Sequence, residues 1–288
     1  MSPHEIMQRL DKIRKKLVFG DVLPIIIGGL GVFFFIPSKD TTILVVTLIA
    51  LAVEMAIHGA SAKELKKNYR DIYKDAFAKK ILNDMLDDVS YDWRDGFSEM
   101  DVMSFGLVKI GNIFSSEDLL KASYKGVNFR QADVRIYHEV QTSNDRKTVT
   151  KYFDGRMFEF EYTGKQVQNV KVFTKLYKSW LNISDSDIEM EDVMFNRTFN
   201  VYALDALTAF YLLTPPLMEK ISNIARRYPD MAFRFGPGKL YVGINGFDSF
   251  DMHNPKKKLS YPEECDRMKK DVQVITDIIE IIGLMKEE

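Results

Sequence analysis

With one cysteine, Cys265, in 288 residues, the chain can build no disulfide framework of its own. A small cross-linked secreted scaffold is excluded, and a reducing compartment fits. Histidine is almost as scarce. His4, His58, His138 and His253 are scattered, and none stands at metal-ligand spacing from Cys265 or a carboxylate. No G-x-S-x-G elbow, H-E-x-x-H or G-x-G-x-x-G run occurs. Charge of one sign is lacking too: 40 basic residues against 41 acidic ones leave a net charge of -1. A nucleic-acid binder needs a basic face, whereas the basic residues here gather beside apolar runs, so no nucleic-acid partner is expected. Nothing in these patterns calls for a metal or a cofactor.

What the chain has is grease in two long runs. Val22–Ile36 and Thr41–Ile57 hold about 15 and 17 residues and are joined by Pro37-Ser38-Lys39-Asp40. Each lies at the short end of the roughly 17–25 residues that cross a hydrocarbon core, and so short a turn makes them antiparallel. The expectation is a transmembrane hairpin over residues 17–60, with a re-entrant loop as the alternative. Arg9, Lys12, Arg14, Lys15 and Lys16 precede it, Lys63, Lys66, Lys67 and Arg70 follow it, and the turn carries only Lys39. That asymmetry predicts a two-pass protein of the cell (inner) membrane with both termini cytoplasmic. Asp21, Glu54 and His58 fall at similar depth near the cytoplasmic mouth, where they serve as interfacial anchors. Gly28, Gly29 and Gly31 are expected to let the two helices approach closely.

Residues 1–16 read as a basic amphipathic helix. Ser2 and Glu5 form a capping box around Pro3, and Ile6, Leu10, Ile13 and Leu17 make one apolar face. The pattern suits a helix lying on anionic headgroups, or one packed on its own chain. Residues 61–253 are expected to form a cytoplasmic α+β domain, opening on a helix from about Ser61 to Asp88. Ser98 caps a short helix after turn residues at 91–96.

From about Leu119 to Phe173 the period becomes two. A phase slip suggests a bulge near Gln131-Ala132, and Gln141–Lys147 is a polar turn. Asp154-Gly155 is the strongest short hairpin signal, between strands at Thr148–Phe153 and Arg156–Tyr162. Glu159 and Glu161 alternate with Phe158, Phe160 and Tyr162, which predicts one wet face. Another strand is expected at Val167–Phe173, helices after Asp205 and Thr214, and a hairpin across Gly236-Pro237-Gly238. Residues 254–288 complete the chain as a linker and a C-terminal amphipathic helix whose seam includes Cys265. The fold class is therefore α+β: an N-terminal two-helix transmembrane hairpin, an antiparallel sheet with flanking helices, and a long C-terminal helix.

One run of residues carries a likeness. Glu191-Asp192, Phe195-Asn196, Phe199, Val201-Tyr202, Asp205, Ala209, Tyr211 to Pro215 and Leu217-Met218-Glu219 stand in that order. The set resembles the signature of an uncharacterised bacterial family, domain-of-unknown-function family 3137, with Phe250-Asp251 where Phe-Glu is expected. Within it Glu191, Phe195, Phe199, Tyr202, Asp205, Thr214, Pro215 and Met218 are the marker positions. The resemblance implies an N-terminal membrane hairpin, a cytoplasmic domain and gene neighbours of the LemA type. It implies no reaction.

Three function classes remain open. The first is a membrane-anchored scaffold or regulatory interaction module whose partners are the lipid bilayer and a membrane-proximal protein, with a homo-oligomer allowed. The second is a membrane-associated hydrolase or transferase drawing on His138, His253, Glu191 and Asp205. The third is an oligomeric channel or transport accessory resting on Asp21, Glu54 and the glycines. The composition favours the first, because the marker positions are mostly apolar, aromatic or helix-capping.

Overall fold

A computed structural model describes residues 2–141, 147–164, 167–181, 183, 185–283 and 285. Helix α1 (Pro3–Ser38) opens on the expected capping box. The Ser2 hydroxyl accepts the Glu5 amide at 3.3 Å, and the Glu5 carboxylate accepts the Ser2 amide at 2.8 Å. It ends where Lys39 turns left-handed at φ 51° and donates its amide to the Phe35 carbonyl. Asp40 then caps α2 (Thr41–Ile72), accepting the Thr42 amide at 2.8 Å. Only Lys39 and Asp40 lie outside the helices, a tighter connection than the four residues expected. Helix α2 runs through a π-helical turn (Tyr73–Ala78) into α3 (Lys79–Met85).

The basic segment 1–16 is not a separate helix. It is the first part of one 36-residue rod, about 54 Å long at 1.5 Å per residue. Its apolar residues Ile6, Leu10 and Leu17 are buried within the chain, so that face is not free to lie on a membrane.

The remaining elements are β1 (Asp87–Asp92), α4 (Glu99–Phe105), β2 (Ile113–Tyr124), β3 (Val127–Gln141), β4 (Lys147–Glu161), β5 (Val170–Thr174), β6 (Ser186–Asp187), α5 (Val193–Thr198), β7 (Phe199–Ala203), α6 (Ala206–Leu212), α7 (Pro215–Arg227), β8 (Met231–Gly236), β9 (Lys239–Asn245) and α8 (Tyr261–Gly283). The strands form one antiparallel sheet in the order β1-β2-β3-β4-β9-β8-β5-β7-β6.

Two expectations about turns and register in this sheet fail for physical reasons. Asp154-Gly155 is no turn, because β4 passes straight through it with Gly155 paired to both Val134 and Asn245. A Cβ at Gly155 would stand 2.1 Å from the Ile244 carbonyl oxygen, so the glycine serves a close backbone approach. The chain reverses instead between β3 and β4, across the predicted polar turn, whose residues 142–146 lie outside the described ones. The bulge sits at the level of Ala132 but on the facing strand: register shifts between Glu117 and Leu120 in β2, where Asp118 has φ 62°.

The chain divides into two compact units, Met1–Ile81 with Asp251–Arg267, and Leu82–Phe250 with Met268–Glu288. These boundaries differ from the expected 61 and 254. In the second unit both sheet faces are covered. Ala132, Val134, Ile136, Phe153 and Met157 pack with Val102 and Phe105 of α4. The opposite face carries Phe158, Phe160 and Arg156, and the Arg156 guanidinium donates to the Asp271 carbonyl of α8 at 3.0 Å. Glu159 is not wet as expected: it is 6% exposed and paired with Arg130 at 3.1 Å and Lys239 at 3.0 Å.

Candidate functional site

In the first unit, the two apolar helices meet at two glycines. A Cβ at Gly20 would stand 2.0 Å from the His58 ring, and one at Gly31 would stand 2.3 Å from Thr47 Cγ2. Gly31 thus lies where the helices approach closely, whereas Gly28 and Gly29 do not make the approach expected of them, since a Cβ on either would meet nothing within 4 Å. Gly20 escaped notice because a lone glycine beside Asp21 looks like the end of an apolar run rather than a contact.

Of the three polar residues expected to share a depth, Asp21 and His58 meet, and Glu54 shares only a cleft with His58. His58 Nε2 lies 3.4 Å from Asp21 Oδ1, and Lys256 Nζ lies 2.6 Å from Asp21 Oδ2. Glu54 and His58 line one cleft of about 540 Å³ with Phe19, Leu23 and Val53. One Glu54 carboxylate oxygen is buried there without a partner among the described residues. Lys256 had no signal in the sequence beyond its place in a lysine-rich linker.

Nearer the amino end, Tyr69 is wholly buried on a second cavity. Burial pushes its phenol up to about 12, so the hydroxyl stays a donor at any physiological pH. Further along, the π-helical turn places Tyr73 so that its hydroxyl donates to Glu264 at 2.7 Å. Glu264 also holds Arg267 at 2.7 Å, with His253 Nδ1 at 3.6 Å. Glu264 therefore takes the buried position at the start of α8, and Cys265, expected in the seam, is only half-buried.

The second unit contains a buried polar group that periodicity hides. Asp133 and Arg156 are cross-strand partners on inward-facing positions of β3 and β4. The Asp133 carboxylate accepts the Ser249 amide at 2.7 Å and its hydroxyl at 2.6 Å. Burial pushes the Asp133 carboxyl well above the usual range despite the opposing pull of Arg156. Burial likewise lowers the Arg156 guanidinium, against the charges of Asp271 and Asp133. That guanidinium also bonds Gln131 and stacks over Phe158 at 5.0 Å and Phe250 at 5.7 Å. Asp133 and Arg156 are almost without exposure, so the group fixes strand register and holds the 249–250 segment and α8 rather than meeting a substrate. An Arg and an Asp in the inward phase of Phe-rich strands were the signal available.

Most of the marker residues are structural. Asp192 caps α5 through the Met194 and Phe195 amides, at 2.8 and 3.1 Å. Phe195 and Phe199 stack at 4.4 Å, and Tyr202 meets Phe173 edge-on at 5.9 Å. Asp205 caps α6 as expected, through the Thr208 amide at 2.8 Å. Thr214 occupies the cap position of α7 with no side-chain bond, Pro215 opens that helix, and Met218 is buried beneath it. Glu191 is exposed in the loop before α5.

The four residues considered for hydrolysis are engaged elsewhere or isolated. His138 stacks on Tyr152 at 5.5 Å, and Tyr152 in turn on Trp180 at 5.1 Å. His253 belongs to the first unit, beside Glu264. Among the described residues no three His, Cys, Asp or Glu side chains are placed to hold a metal.

These features define an α+β protein with two long apolar amino-terminal helices and a nine-stranded antiparallel sheet. Residues 151–284, somewhat under half of the chain, match the family described as "Protein of unknown function (DUF3137)". The match begins within β4 and ends just past α8. No curated protein matches the chain. One similar solved structure is the crystal structure of the mycobacterial trehalose monomycolate transport factor A, TtfA. It is 9% identical over 71% of this chain and 93% of that chain, with a TM-score of 0.36. A likeness at that level carries no functional argument.

Proposed function

We propose that the α1–α2 hairpin spans the inner membrane and holds the sheet-bearing unit on its cytoplasmic side, as a scaffold or regulatory interaction module. One observation carries this reading: α1 and α2 display Ile25, Leu30, Phe33, Phe34, Val46 and Ile49 outward, each about half exposed or more. Moving one such side chain from water into lipid contributes roughly 1.5–3 kcal/mol, so a sheath of them favours a bilayer strongly. The helices satisfy their own backbone groups, which hydrocarbon demands. Lysines and arginines flank the open end of the hairpin, in keeping with cytoplasmic termini. The interaction role draws support from the exposed side chains of Val193, Met194, Leu204 and Leu207 around the buried marker residues.

Membrane fractionation with alkaline carbonate, followed by thiol labelling, tests the anchor. The full chain should stay with the pellet until detergent is added. In intact spheroplasts an impermeant maleimide should miss Cys265 yet label Lys39→Cys in a Cys265→Ser background. Release by carbonate, or labelling of Cys265, would overturn it. For the interaction role, crosslinking in membranes should capture a partner that Leu207→Ser loses.

A second reading has one specific observation behind it, the unpartnered Glu54 oxygen in the cleft between the helices. An oligomer conducting through that cleft would carry ions in liposomes, and Glu54→Gln would abolish the flux. Absence of flux from the unaltered protein removes this reading.

A further inference from the structure

The cavity over Tyr69 lies wholly within the first unit. It measures about 400 Å³, the size of a small-ligand pocket. Its wall is strongly cationic: Lys12, Arg14 and Lys15 come from α1 and Lys258 from the segment before α8, against the single carboxylate of Asp11. Asp11 is already shared by Arg14 at 2.7 Å and Lys15 at 3.0 Å. Lys12 and Lys258 are exposed and have no ion-pair partner among the described residues. A concavity lined by charges of one sign focuses their field and concentrates an anion there.

A second observation points the same way. Tyr69 is fully buried in the wall of this cavity, and its hydroxyl has no hydrogen-bond partner among the described residues. Leaving such a donor unmade costs about 1–3 kcal/mol, which an anionic oxygen would offset. Leu10 and Tyr69 supply an apolar floor beneath the cations.

We infer that this cavity binds a phosphate ester, with Lys12, Arg14, Lys15 and Lys258 neutralising the phosphate and Tyr69 donating to one of its oxygens. The inference goes beyond the membrane reading and does not depend on it. The same phosphate chemistry is offered by an anionic lipid headgroup and by a soluble ester. Lys15 precedes Val22 by seven residues, about 10 Å of helix, which puts that end of the cavity within reach of a headgroup if the hairpin spans.

The test uses the full chain in a neutral detergent with two probes, glycerol 3-phosphate and dioleoyl phosphatidic acid, read by microscale thermophoresis and native mass spectrometry. Saturable binding is expected for at least one. Lys12→Glu and Lys258→Glu should each weaken it about tenfold or more, the effect of losing one charge-assisted contact. Tyr69→Phe should weaken it severalfold and leave the thermal midpoint within a few degrees. Lys67→Glu makes the same change of charge outside the cavity and should leave affinity unchanged.

Binding of glycerol 3-phosphate with this variant pattern assigns a soluble ligand; binding of the acylated probe alone assigns a lipid. No saturable binding of either probe overturns the inference. So does a Lys67→Glu effect equal to that of Lys12→Glu, because diffuse surface charge would then explain everything. Carbonate release of a chain that still binds glycerol 3-phosphate here would sink the anchor and leave the site standing.

Discussion

Gly155 shows what a single hydrogen can decide. Its place in the middle of β4, with the Ile244 carbonyl 2.1 Å from where a Cβ would stand, means that alanine must push two strands apart. Gly155→Ala should cost about 1–3 kcal/mol, the usual range for overpacking. A lowered midpoint in denaturant unfolding of the purified chain checks this; an unchanged one would mean that the strands separate freely. Asp133 offers a pH test. Its carboxyl is raised well above 3.8 in the folded state, so the folded chain holds its proton more tightly than the unfolded one. The stability this contributes is complete below the unfolded value and is lost as pH climbs through the folded value. Relative to Asp133→Asn, the unaltered protein should therefore lose stability as pH rises from about 4 towards neutrality. Parallel thermal midpoints for the two proteins across that window would refute the assignment.

At the scale of elements, the hairpin separates glycines by what they face. Gly31→Leu must collide with Thr47, whereas Gly28→Leu and Gly29→Leu enter open space. Gly31→Leu should thus lower the detergent-solubilised melting temperature by several degrees, and the other two should leave it nearly unchanged. Equal effects at all three positions would contradict the helix orientation.

The same scale shows what could be read from residues alone. Caps are local, so Ser2, Ser98 and Asp205 announced their helices, and the structure places each where a side chain meets an amide three residues on. Strand pairing is not local. Asp154-Gly155 has turn chemistry, but its partners Val134 and Asn245 lie far off in sequence and hold it extended. The alternation of Phe158 and Glu159 suggested one wet face; Arg130, Lys239 and Asp101 cover it from three other elements. The cationic cavity was legible only as a basic stripe on the first helix, since Tyr69 and Lys258 join it through tertiary structure.

For the whole molecule, the division into units sets where the chain can be cut. A break at 61, the expected domain boundary, removes Ile6, Leu10 and Leu17 and leaves Tyr69, Tyr73 and Phe77 behind with part of their cover gone. Cutting at 82 instead discards the whole amino-terminal stretch of the first unit, Met1–Ile81. It keeps the sheet, its polar centre at Asp133 and Arg156, and the apolar half of α8. The remaining first-unit segment, Asp251–Arg267, still has the Glu264–Arg267 pair at 2.7 Å to satisfy its buried carboxylate. Residues 82–288 should therefore dissolve without detergent and unfold in one cooperative transition. Residues 61–288 should bind more of a hydrophobic dye and aggregate at lower temperature, because an uncovered aromatic stripe promotes association. Size-exclusion chromatography and dye fluorescence on the two truncated chains decide between them. Should 61–288 prove the better behaved, the first unit would owe its cohesion to the later helix and not to the packing of α1.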